Sequence, residues 1–145
     1  MNISFSAGYD STQNLVKSDR PIVIIDDDTD FHFIARKCYG RSGKDNELIT
    51  FENGESALSY LKNYAFSEDK FPEVIFVDIN MPGMSGFEVV SEVKKIKQFG
   101  NTTYIFMLTN SESPYDIESA RKCGASGYLT KVGSIKTYID FFRNL

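Results

Sequence analysis

"PIVIIDDDTDFHFIARKCYG", residues 21–40, reads as one complete strand-turn-helix unit. Its first five residues form a short apolar run dominated by β-branched side chains, without the polar alternation of a half-exposed strand. They predict a strand buried on both faces. Phe31, Ile34, Ala35 and Cys38 then recur at i, i+3, i+4 and i+7, the stripe of an amphipathic helix. Between the two, positions 26, 27, 28 and 30 are all aspartate. Carboxylates a few Å apart repel each other, and a cation or a proton normally relieves the repulsion.

The same unit recurs along the chain. "VIFVD" (74–78) and "TYIFML" (103–108) repeat the buried-strand pattern, with weaker candidates at "ELITF" (47–51) and "GYLT" (127–130). Helical periods separate them: Ala57, Leu58 and Leu61; Val89, Val93 and Ile96; Ile135, Tyr138, Ile139 and Phe142. Ser85 with Glu88 and Ser113 with Asp116 have capping-box spacing, and Pro114 falls at the favoured first helical position. Five β-α repeats predict an α/β fold, a parallel sheet covered by helices on both faces. Residues 1–20 show no sustained period and are expected to be a flexible arm, with one domain over 21–145.

At 145 residues the chain fits a single core that buries roughly 70% of the unfolded surface, and no second domain is expected. Hydrophobic content of 41% excludes general disorder, and a net charge of -4 argues against non-specific binding to nucleic acid or anionic lipid. No stretch approaches the ~20 apolar residues of a membrane span and no signal peptide is legible, so a cytoplasmic protein is expected. Cys38 and Cys123 are expected to be free thiols.

In open α/β sheets the site forms beyond the carboxyl ends of the strands. There the first strand delivers Asp26 and Asp27, the third Asp78, the fourth Thr109, and the fifth leads to Lys131. Three convergent carboxylates favour a hard divalent cation such as Mg²⁺, and a site of that kind invites phosphate. Lys131 and the Thr109 hydroxyl would hold phosphoryl oxygens, leaving Asp78 as the nucleophile of a phosphoryl transfer. "NMPGMSG" (80–86) after it keeps bulky side chains off an incoming donor. Asp28 and Asp30 read instead as first-turn charges, which gain roughly 0.3–1 kcal/mol from the helix dipole. His32, between two phenylalanines and off the apolar stripe, reads as a surface side chain.

From Pro21 to Leu145 the chain resembles the receiver domains of two-component response regulators. "IIDDD" matches the acidic pair, "FVDINMPGMSG" the phosphoacceptor loop, "MLTNSE" the switch strand and "GYLTK" the lysine strand. The resemblance implies a flavodoxin-like doubly wound sheet of five parallel strands, order 2-1-3-4-5, with five helices. It implies that Asp78 takes phosphate from a histidine kinase or histidine phosphotransfer protein. Asp27 and Asp78 would bind Mg²⁺ with the Asn80 carbonyl, and Asp26 would assist through water. Thr109 would move toward the phosphoryl group, with Tyr128 turning inward. Asn80 and Ser111 occupy the family's variable positions. Val132 stands where the family usually has proline, so the loop after Lys131 is expected to be either trans and rearranged or strained.

"DDDTD" superficially resembles the Asp-x-Asp of haloacid-dehalogenase-type phosphatases, but Asp30 stands where Thr or Val belongs. A pseudo-receiver that docks without phosphorylation normally loses some of the five site residues, all present here. The expectation is a non-enzymatic, single-domain regulator whose output is a surface: the fourth helix, fifth strand and fifth helix of the receiver, with Tyr115, Tyr138 and Phe141 as candidate contacts. A second copy, a histidine domain or a separate effector would bind there, and neither nucleic acid nor membrane. "GESALSYL" and "KNYAFSEDKFP" (54–72) are similar to stand-alone receivers serving phytochrome-type kinases.

Overall fold

The structure is a computed structural model that describes residues 3–6, 14–96, 103–131 and 133–145. In chain order its elements are β1 (Ile3–Ser6), β2 (Ile22–Ile25), α1 (Thr29–Gly40), β3 (Leu48–Phe51), α2 (Gly54–Asn63), β4 (Val74–Val77), α3 (Gly86–Lys94), β5 (Tyr104–Thr109), α4 (Pro114–Cys123), β6 (Gly127–Thr130) and α5 (Ile135–Asn144). The sheet order is β1-β6-β5-β4-β2-β3. From β3 to β6 every pairing is parallel, and counting those five strands alone gives 2-1-3-4-5, the flavodoxin-like order. The central strand is β4.

Strand periodicity explains why the runs are wholly apolar. Val23, Ile25, Ile75, Val77, Ile105, Met107 and Tyr128 join the core beneath α2, α3 and α4. Their alternates Ile22, Ile24, Val74, Phe76, Phe106, Leu108 and Leu129 join a second core with Phe31, Ala35, Cys38, Tyr138 and Phe142 of α1 and α5. A strand covered on both faces has no position for a solvated side chain. Cys38 and Cys123 are free thiols.

Helix starts follow local chemistry. Asp28 is the N-cap of α1, accepting from the amides of Asp30 and Phe31 at 3.0 and 3.2 Å, and Asp30 lies in the first turn. Ser85 and Glu88 form the expected capping box at α3. The corresponding box at α4 is absent: Ser113 makes no side-chain cap, and the Asp116 carboxylate accepts instead from the Ser111 hydroxyl at 2.6 Å.

Parts of the stretch read as an arm, residues 1–20, pair and pack with the rest of the fold. Ile3–Ser6 forms β1, antiparallel to β6. Four alternating residues, "ISFS", are too short a period-2 signal to stand out in a polar stretch. Further on, Leu15 is buried in the α1/α5 core, and the Val16 amide donates to the Leu145 carbonyl at 2.9 Å. Residues 1, 2 and 7–13 lie outside the described residues.

Candidate functional site

Backbone ladders carry each functional side chain to one edge of the sheet. The Asp78 amide donates to the Ile25 carbonyl at 2.9 Å and the Asp26 amide to the Phe51 carbonyl at 3.0 Å, so both strand ends stay in register. The Lys131 amide donates to the Thr109 carbonyl at 2.8 Å, extending the β5–β6 ladder by one residue. Asp26, Asp27 and Asp78 each offer a carboxylate oxygen within 4.8 Å of the others. Asp26 is buried, Asp78 half-buried and Asp27 exposed.

Lys131 supplies the opposing charge. Its Nζ, on a side chain 7% exposed, lies 2.5 Å from Asp26 Oδ2 and 3.8 Å from Asp78 Oδ2. The other Asp26 oxygen accepts from the Asp28 amide at 2.9 Å, which joins the acidic turn to the cap of α1. Against three carboxylates, one ammonium leaves two formal negative charges uncompensated. Such an all-oxygen donor set fits a divalent hard cation. Asp78 feels the crowding directly. Burial pushes its pKa up; Lys131 pulls it down, Asp26 pushes it up, and hydrogen bonds from the Thr109 hydroxyl and the Ile79 amide, the latter at 2.8 Å, pull it down.

Thr109 and Tyr128 are both buried at this edge. The Tyr128 ring faces inward and its hydroxyl donates to the Ser111 carbonyl at 2.8 Å. Asn80 is exposed two residues beyond Asp78. A cavity of about 230 Å³ opens beside Lys131, lined among others by Asp28, Phe31, Asn110 and Ile135. Val132 lies outside the described residues, so the expectation for its loop has no structural counterpart.

Three residues differ from the sequence reading or escape it. His32 is buried rather than on the surface, because the first turn of α1 lies against the strand ends at Asp26 and Glu52. Burial lowers its pKa against the pull of the Asp26 and Glu52 carboxylates. Phe31, assigned only to the core stripe, also places its ring 4.2 Å from Lys131 Nζ. Ser111 holds Tyr128 through its carbonyl, Asp116 through its hydroxyl, and the Ser113 amide at 3.2 Å through its hydroxyl oxygen. Short side chains that act through backbone groups leave no pattern in a sequence. The candidate output face is narrower than expected: Tyr138 is buried against Phe31, Phe141 packs on Phe76, and Tyr115 alone of the three is strongly exposed, at 78%.

Strand-end carboxylates, a hydroxyl and a lysine on a 2-1-3-4-5 sheet are matched by a known family. Residues 22–140 fit the response regulator receiver domain. The chain belongs to this family. This receiver is 30% identical over 128 residues to Protein PilG of Pseudomonas aeruginosa, covering 83% of this chain and 88% of PilG. It is 36% identical over 114 residues to the sensor histidine kinase CheAY of Helicobacter pylori, covering 79% of this chain and 13% of that much longer protein. A crystal structure of the Mn²⁺-bound form of response regulator Rcp1 shares the receiver fold with a TM-score of 0.71, at 23% identity over 85% of this chain and 88% of Rcp1. Receivers form a signalling family rather than a classical enzyme family. Among the described residues no helix is long and apolar enough to cross a membrane.

Proposed function

We propose that this receiver accepts a phosphoryl group on Asp78 from a histidine kinase or a histidine phosphotransfer protein. The observation that carries the reading is the placement of Asp78 at the end of the central strand, inside the acidic triad and 3.8 Å from Lys131. In the transfer a phosphohistidine P–N bond breaks and a P–O bond forms to an Asp78 oxygen, giving an acyl phosphate, while the imidazole leaves and regains its proton from solvent. Asp26, Asp27, Asp78 and the Asn80 carbonyl are the groups that would hold Mg²⁺, which when bound neutralises phosphoryl oxygens. The metal-bound form of Rcp1 and the fusion of a matching segment to a kinase in CheAY support the metal and donor classes.

The chain's own residues do the rest. Lys131, steadied over Phe31 and paired with Asp26, offers its ammonium to the charge that develops on the transferred group. Thr109, already hydrogen-bonded to Asp78, passes occupancy of the site to the β5–α4 turn. Tyr128, anchored on Ser111 in that turn, carries it to the face made by α4, β6 and α5. That face serves as the output surface, for a second copy of the chain or a separate partner.

Incubation with Mg²⁺ and acetyl phosphate is expected to add one phosphoryl mass, acid-stable and base-labile, that disappears in Asp78→Ala. An adduct retained in Asp78→Ala, or none in the wild-type chain together with no response to beryllofluoride, overturns the reading.

A further inference from the structure

The strand that seals the sheet is not part of the β-α series. β1 adds antiparallel to β6, pairing Ile3 with Leu129, Phe5 with Tyr128 and Ser6 with Gly127. It therefore lies on the strand that carries the inward tyrosine, and it also contacts α4. Without β1, the outer edge of β6 would present unpaired amides and carbonyls along "GYLT", a segment with no charge and no proline. Uncharged, proline-free edges are templates for pairing with another chain, which proteins blunt by covering them. The cover here is minimal: four residues, with the register interrupted between Ile3 and Phe5. Short, irregular edge pairings belong to the least stable part of a fold and open first.

The orientation of β1 decides what else the edge can take. An edge that accepts an antiparallel strand also accepts β6 of a second copy, because a two-fold axis normal to the sheet presents the same strand to itself in antiparallel sense. Both strands would use the same β6 backbone groups, so the two pairings exclude each other. We propose that β1 is an intramolecular guard strand, and that its displacement allows two copies of the chain to join through β6. The inference rests on the reading of α4, β6 and α5 as the output face, and names the occupant of that face as a second copy.

The test uses the full chain with Phe5→Pro and Ser6→Pro together. Successive amides along a strand point to opposite edges, so the pair removes whichever one faces β6. A Phe5→Leu, Ser6→Ala chain keeps both amides as the control. Sedimentation equilibrium with and without Mg²⁺ and beryllofluoride is expected to give a dimer dissociation constant at least tenfold lower for the proline chain than for the control in one or both conditions. At concentrations where both are monomeric, Gly127–Leu129 amides are expected to exchange at least tenfold faster in the proline chain. Equal dissociation constants in both conditions, or equal exchange rates, overturn the guard-strand proposal. Failure of the phosphorylation reading looks different: neither chain responds to beryllofluoride, while the difference between them persists.

Discussion

The Tyr39 hydroxyl is buried beside Phe142 and donates to the Asn46 carbonyl at 2.7 Å. Burial, reinforced by Asp45, pushes its pKa up to about 12. The folded chain therefore holds this proton more tightly than the unfolded chain, whose tyrosine titrates near 10. The resulting stability is fully present below pH 10 and is lost as pH rises toward 12, a change of about 2–3 kcal/mol. Tyr39→Phe is expected to cost about 1 kcal/mol at pH 8 through the lost hydrogen bond, and to become the more stable chain by pH 12. Urea denaturation of both proteins from pH 8 to 12 measures the crossover; a constant difference above pH 10 contradicts it. At this scale the sequence was informative about what gathers at the strand ends. Asp26, Asp27, Asp78, Thr109 and Lys131 each follow an apolar run, and the sheet brings them to one edge. His32 was not legible, because its burial comes from strand ends that lie on either side of a crossover helix.

Elements were legible wherever burial is two-sided. β2, β4 and β5 sit between two helical layers, so nearly every residue is apolar and the run announces itself. β1 lacks that signal. The first residue of α3 shows how a position can constrain the site without contributing a side chain to it. Gly86 opens α3 and its amide donates back to the Ile79 carbonyl at 2.9 Å. A Cβ there would lie 2.2 Å from the Asp78 carbonyl oxygen and 2.9 Å from the Met107 methyl. Backbone cannot yield as a side-chain tip can, so Gly86→Ala must separate α3 from the strand end that carries Asp78. A loss of roughly 1–3 kcal/mol in stability is expected, the usual range for overpacking. Phosphate incorporation from acetyl phosphate is expected to fall further than the folded fraction does. Thermal melts with single-turnover labelling check both; wild-type labelling at full fold would show that the close approach is not needed to place Asp78.

At the scale of the whole molecule, Glu73 ties the segment before β2 to the sheet. It is buried just ahead of β4, and its carboxylate accepts from the Lys17 amide at 2.6 Å, the Ser18 amide at 3.1 Å and the Ser18 hydroxyl at 2.7 Å. Its own amide donates to the Pro21 carbonyl and its carbonyl accepts from the Tyr104 amide. One residue thus joins the incoming chain to two strands. Truncation to alanine strands two backbone donors, a loss of about 1–3 kcal/mol for each buried group that water does not rescue. The consequence extends beyond stability, because anchoring Leu15 to Ser18 tethers the segment that follows β1 in sequence and so raises the effective concentration of that strand at the β6 edge. Glu73→Ala is therefore expected to lower the melting temperature and to speed amide exchange at Lys17 and Ser18. It is also expected to speed exchange at Gly127–Leu129, some fifty residues away in sequence. Exchange mapped by mass spectrometry separates the two effects. Acceleration confined to residues 14–20 would show that β1 holds its place without the anchor, whereas joint acceleration makes Glu73 the fixed point from which the guard strand is tethered.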